Sequence, residues 1–282
     1  MIKFKFIEQK LAKILMILAT ALVLLSFFGI LYVIVKKGLP ALNWDMVTKI
    51  PDGGFYIGKE GGVLNAILGS FYIATGSSVI AFFLSLPIVL YINLYLKKNH
   101  WFGILTRISF DVLFGIPSIV YGAFGFTIMM YFGMKASLLG GLIACTLLVL
   151  PIMVRTMDEV ILTIPKELID AALSLGATSF ETVGIILRQS TAGILTAFLL
   201  AFARGIGDVA SVMFTAGFSD NIPTSVHDPA ATLPLAVFFQ LSSPLEEVQA
   251  RAYASALLLT IIVLTVSILS RFFSKYYIKN KI

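Results

Sequence analysis

Six stretches of this chain, residues 14–35, 66–96, 108–131, 138–154, 192–218 and 252–273, are long and apolar enough to cross a hydrocarbon core of about 30 Å. In that solvent a segment must satisfy its own backbone N–H and C=O groups, so such runs fold as helices. The chain reads as an all-α, polytopic membrane protein with six transmembrane helices. Its balance of 59% apolar and 13% charged residues, with a mean hydropathy of +0.97, lies far outside the soluble range.

The basic residues orient the bundle. With the N-terminus in the cytoplasm, fourteen fall on the inner side: Lys3, Lys5, Lys10, Lys13, Lys97, Lys98, Arg107, Arg155, Lys166, Arg188, Arg271, Lys275, Lys279 and Lys281. Six fall outside, namely Lys36, Lys37, Lys49, Lys59, Lys135 and Arg251, and Arg204 lies within a span. That asymmetry predicts both termini in the cytoplasm and makes the pI near 9.3 a matter of membrane orientation, not of nucleic acid. The first span resembles a signal peptide, with Ala19-Thr20-Ala21 as a cleavage triplet, but its apolar run continues to Val35 and predicts an uncleaved anchor. The single cysteine, Cys145, sits in an apolar run and is read as core packing.

One polar, amphipathic interruption, residues 165–190, separates two apolar spans. Pro165 suits a first helical turn and Glu167 the positive end of the helix dipole. Leu168, Ile169, Ala172 and Leu173 share one face. Gly176 can end the run in a left-handed cap, and Thr178 with Glu181 has the capping-box spacing for a new start. Eleven residues give only about 16 Å of helix, so the element should lie across the membrane face. The residues leave two readings open: a docking helix for a soluble partner, or an amphipathic loop resting on lipid headgroups.

The sharpest chemical signal is ARGIGD at 203–208, which puts Arg204 and Asp208 on one helical face about a third of the way into the fifth span. Ionisable groups at that depth are costly unless paired or facing water. Either the pair neutralises itself and fixes packing, or Arg204 offers its five-donor fork to a tetrahedral oxyanion while Asp208 balances the charge. The third span, with Gly115, Gly122, Gly125 and Pro117, reads as a kinked packing helix, and Pro87 as a possible kink in an overlong second span. Hydroxyl residues Ser70, Thr75, Ser77, Ser78 and Ser85 in the second span read as packing. Asp111 is read as solvated, and Arg155, Asp158 and Glu159 as a wet helix end.

Outside the membrane, Gly53 through Lys59 reads G-x-x-x-x-G-K, but Glu60 stands where Ser or Thr should bind magnesium and no strand precedes it. A nucleotide site in this chain is therefore not expected, nor is catalysis, and any ATP must be hydrolysed by another polypeptide. The loop at 219–249 is acidic, contains the short apolar run 235–241 expected to form an interfacial or re-entrant helix, and holds His227 without a second metal ligand.

Asp170-Ala171-Ala172, then Gly176 after three residues and Ile186 after nine more, resembles the EAA loop of ABC importer permeases, which seats in the ATP-binding subunit. Asp170 replaces the family's Glu, and Arg188-Gln189 stand where it usually has Leu-Pro. Together with IPSIVYGAFG at 116–125, ARGIGD and PAATLPLAVFF at 229–239, it resembles the permease subunits of bacterial phosphate-specific ABC importers, with Asp208 in place of a usual Glu. The resemblance implies a type I ABC importer permease fold with a cytoplasmic coupling helix. Residues 1–62 would form an N-terminal tail, anchor and external loop, 63–273 the permease domain, and 274–282 a basic cytoplasmic tail.

It further implies a sister permease PstC, two copies of the ATPase PstB holding ATP and Mg, and an external phosphate-binding protein PstS. Arg204 and Asp208 would line the substrate pathway, and Asp170, Ala171, Ala172 and Gly176 would couple to the ATPase. The competing expectation is a secondary anion transporter using the buried Arg204–Asp208 pair as a proton relay, which would need no ATPase but should show an internal repeat, and none is evident. A non-transporting membrane scaffold is the third.

Overall fold

The computed structural model describes residues 2–52, 61–97 and 99–279; the P-loop-like run at 53–59 lies outside them. Among the described residues ten α-helices succeed one another: α1 Ile2–Gly38, α2 Trp44–Thr48, α3 Leu64–Leu90, α4 Trp101–Gly115, α5 Ser118–Tyr131, α6 Leu138–Leu162, α7 Lys166–Ser174, α8 Ser179–Ile206, α9 Leu233–Leu241 and α10 Glu246–Lys279. Five of them contain windows long and apolar enough to cross a membrane; α4 and α5 together make a sixth, bent by 99°.

The core is the packing of α3, α6 and α8, with Met153, Met157, Val149, Ile186 and Ala197 wholly or almost wholly buried between them. Small residues permit the close approach: a Cβ on Gly193 would collide with Val160, and one on Gly69 with the Ala231 carbonyl. Helix α1 differs. None of its apolar window is buried, and it packs along α10, where Gly38 abuts the backbone of Tyr253.

Two predicted spans need correction. The third is not one kinked helix: Ile116, ahead of Pro117, is extended (φ −73, ψ 130), because proline disfavours the helical conformation of the residue before it, and the chain turns sharply there. The fifth is shifted toward its N-terminal end, next to α7. Without a proline at 188–189, α8 runs unbroken from its Thr178 cap to Ile206, about 42 Å, and ends before residue 207. Residues 207–218, predicted helical, instead begin an irregular segment that packs back into the protein.

That segment is held by hydrogen bonds that replace a ladder. Three N–H groups at the start of α6, on Ser137, Leu138 and Leu139, donate to the carbonyls of Thr215 (2.9 Å), Asp228 (2.7 Å) and Val226 (2.8 Å). Asn65 of α3 donates to the Ser219 carbonyl at 2.6 Å, and the Leu233 N–H donates to Ser70 Oγ at 2.8 Å. The predicted helix at 235–241 is α9, seated on α10 and α3. The second span is also refined: one turn after Pro87 the α-helix gives way to a π-helical turn, Tyr91–Tyr95.

Candidate functional site: an arginine cavity and an inner-face helix

Arg204 lies in the last turn of α8 and Asp208 just beyond its end, so the pair sits at a helix terminus and not a third of the way into a span as predicted. The i,i+4 spacing still brings them together: Arg204 Nη1 and Asp208 Oδ1 are 3.3 Å apart. Their surroundings are unequal. The Asp208 side chain is 4% exposed and its other oxygen accepts the Ser211 N–H at 2.8 Å, whereas the Arg204 side chain is 45% exposed. Asp208 is therefore a fixed anion, and Arg204 a cation with donors to spare.

Arg204 lines a cavity of about 280 Å³, walled also by Leu113, Phe114, Ile116 and Tyr121 at the α4–α5 break and by Leu148 and Ile152 of α6. A guanidinium in an apolar-walled cavity can take a tetrahedral oxyanion bidentately, and low surrounding polarity strengthens that contact. Ser77 Oγ donates to the buried Cys145 Sγ at 3.2 Å, and a Cβ at Gly205 would sit tightly, 3.1 Å, against that sulfur. Cys145 packs as predicted.

Between α6 and α8, α7 spans Lys166–Ser174 with Pro165 at its N-cap. Its exit is a Schellman arrangement: the Ala177 N–H donates to the Ala172 carbonyl (3.1 Å), the Gly176 N–H to the Leu173 carbonyl (3.0 Å), and Gly176 has φ +87. The capping box forms as read, with Glu181 accepting from the Thr178 backbone N–H (2.8 Å) and hydroxyl (2.9 Å) and the Glu181 N–H donating to Thr178 Oγ1 (3.3 Å). Ala172 is buried and Ile169 packs on the core, while Asp170, Ala171, Leu173 and Gly176 are exposed. Leu175 and Phe180 are 90% and 80% exposed, an apolar knob beside a short polar helix. The same turn thus presents three of the four predicted coupling residues and anchors the fourth.

A third cluster escaped the sequence reading. Asp158, expected in a wet helix end, is 4% exposed. It accepts from Arg107 Nε (2.8 Å), Arg107 Nη2 (3.1 Å) and Asn93 Nδ2 (2.7 Å), and Asn93 Oδ1 accepts from Arg107 Nη2 at 3.0 Å. Asp111, expected to be solvated, pairs with Arg155, which also bonds Glu159 at 3.0 Å. The available signal was spacing: Arg107 with Asp111, and Arg155 with Asp158, repeat opposite charges on one helical face.

Outside the membrane, the Asp228 carboxylate accepts from the Ser225 N–H, the Thr224 N–H and the Thr224 hydroxyl, which hold it below the usual carboxylate range. Among the described residues no group of three or more His, Cys, Asp or Glu could hold a metal ion.

Residues 84–281 match the family model described as binding-protein-dependent transport system inner membrane component. The chain belongs to that family. Among its relatives, the phosphate transport system permease protein PstA of Haemophilus influenzae is 33% identical over 248 residues, 88% of this chain and 86% of that protein. The PstA of Xylella fastidiosa (strain Temecula1) is 35% identical over 88% of this chain and 85% of its own length. A probable ABC transporter permease protein of Bacillus subtilis, YqgI, is 28% identical over 94% of both. In three dimensions the chain is similar to a chain of the inward-facing MetNI methionine ABC transporter, with a TM-score of 0.62, 16% identity, and coverage of 76% of this chain and 95% of that one. The type I ABC importer permease fold read from the sequence is thus the observed one.

Proposed function

We propose that this chain is the permease subunit of an ATP-driven importer that carries inorganic phosphate across the cytoplasmic membrane. The observation that carries the substrate is Arg204, a cation whose counter-ion is buried and pinned while its own guanidinium opens into a cavity at the α4–α5 break. The naming of relatives such as that of Haemophilus influenzae as phosphate transport permeases supports the same substrate. In this reading Arg204 binds the passing anion and Asp208 holds Arg204 in place.

Energy comes from outside the chain. The exposed face of α7, from Asp170 and Ala171 to the pivot at Gly176, with Ala172 anchoring it, is the seat for an ATPase corresponding to PstB, which holds ATP and Mg. A sister permease corresponding to PstC completes the path, and a phosphate-binding protein corresponding to PstS delivers substrate on the other side. This places both termini in the cytoplasm, makes 63–273 the permease domain, flanked by 1–62 and the basic tail 274–282, and gives the chain no catalytic role. Uptake of labelled phosphate by vesicles containing the assembled complex tests it. Arg204→Gln is expected to abolish uptake with assembly intact; an assembled variant that transports normally defeats the assignment. Uptake that survives ATP depletion but collapses with the proton gradient would instead establish the secondary transporter.

A further inference from the structure

Two ion pairs join α4 to the inner end of α6. Arg107 and Asp111 stand one turn apart on α4 and meet Asp158 and Arg155 of α6, so the charge order is reversed between the helices and each cation faces an anion. Asn93, in the π-helical turn after α3, closes the buried pair by donating to Asp158 and accepting from Arg107. Opening this clasp would leave a buried carboxylate without its cation, which resists separation of the two helices.

The two ends of α4 are held differently. Its inner half carries the clasp; its outer end runs into the extended residue Ile116 and the 99° break, where a hinge can absorb rotation. Leu113, Phe114 and Ile116, at that outer end, wall the cavity opposite Arg204. Asp158 lies a single turn before the end of α6 at Leu162, and α7 starts four residues later at Lys166. A displacement of α7 therefore has a short, charged route to the cavity wall.

We infer that the Arg107–Asp158 clasp is the positioning link that makes α4, and with it the wall of the Arg204 cavity, follow α7 when a bound ATPase moves that helix. The inference rests on the reading of α7 as the ATPase seat. Arg107 and Asp158 are positioning residues: they touch no substrate, and their effect is on where Leu113 to Ile116 stand.

The test uses the assembled complex of this permease, its sister subunit and the ATPase. The native thiol Cys145 is buried, so Leu113→Cys supplies the reporter, labelled by a maleimide with ATP-Mg plus vanadate and again without nucleotide. With the clasp intact, nucleotide is expected to change the labelling rate by about five-fold or more. Asp158→Asn or Arg107→Gln should reduce that difference to under about two-fold while the ATPase still co-purifies. The exchange Arg107→Asp with Asp158→Arg should restore most of it, which a role in local packing would not predict.

Persistence of the full difference in either single variant, or a swapped complex that assembles without regaining it, overturns the inference. If neither single variant assembles, the swap decides alone, and a swap that also fails to assemble counts against the pair. The readout needs no phosphate, so a wrong substrate leaves it intact. Failure of the α7 reading shows separately, as an ATPase that co-purifies equally after α7 is disrupted.

Discussion

Two of the arginine–aspartate pairs, Arg107–Asp158 and Arg204–Asp208, each hold an almost fully buried carboxylate, and they are built in opposite ways. Around Asp158 both carboxylate oxygens, the Arg107 guanidinium and the Asn93 amide satisfy one another in a closed set. Around Asp208 one oxygen is taken by the Ser211 N–H and the other by a single, longer contact to Arg204, whose side chain is nearly half exposed. A closed set resists change and transmits force. An open set keeps donors in reserve for something that comes and goes. The difference lies in the neighbours supplied by other elements, not in the residue types.

The largest effect should come from the open pair. Arg204→Gln is expected to lower phosphate uptake at least about a hundredfold with the complex intact, because the charged donor is lost, and Arg204→Lys should recover only part of it. Tracer uptake in vesicles measures both. For the closed pair the prediction inverts: Asp158→Ala should cost about 3 kcal/mol of stability by stranding a partly buried arginine, seen as a lower thermal midpoint in detergent. Asp208→Asn should shift that midpoint by much less while impairing uptake. Equal stability losses at 158 and 208 would erase the contrast.

Smaller effects sharpen it at the surface. Gly176→Ala meets no neighbour within 4 Å but must hold φ +87, so it should weaken the α7 exit by about 1 kcal/mol and reduce ATPase co-purification, with phosphate binding unchanged. Asp228 accepts from a closed set of donors at a partly exposed position. Its carboxyl is depressed in the folded state, so its contribution is present above the ordinary carboxylate range and lost as pH falls through the lowered value. Hydrogen exchange at Thr224 and Ser225 should rise on acidification, and Asp228→Asn should remove that pH dependence.

Much of α7 and its exit was legible because its instructions are local. Gly176 as a left-handed cap, Thr178 with Glu181 as a capping box, and the amphipathic face of Leu168, Ile169 and Ala172 each act within a few residues, and all formed. The broken third span was less legible. Pro117 announced a disturbance, but the 99° angle depends on what each half packs against, with Gly122 pressed on the backbone of residues 210–211 and Arg107 clasped to Asp158. The fifth span misled because residues 207–218 are apolar enough to look like membrane helix. Hydropathy reports burial, and most of these residues are buried or half-buried, but their backbone makes only isolated turns, such as Met213 N–H to the Val209 carbonyl, and its Thr215 and Ala216 carbonyls accept from Ser137 and Ala230 instead of from a continuing helix.

By itself the sequence determined a polytopic helical membrane protein, a family, a docking turn and an arginine–aspartate pair, because apolar length, capping chemistry and i,i+4 spacing are properties of contiguous residues. The tertiary structure decided which carboxylate is clasped, which arginine opens into a cavity, and where α8 stops. Those outcomes depend on residues as distant as Asn93, Arg107 and Asp158 meeting in space, and in an apolar interior a polar group's role is set by the partners that reach it.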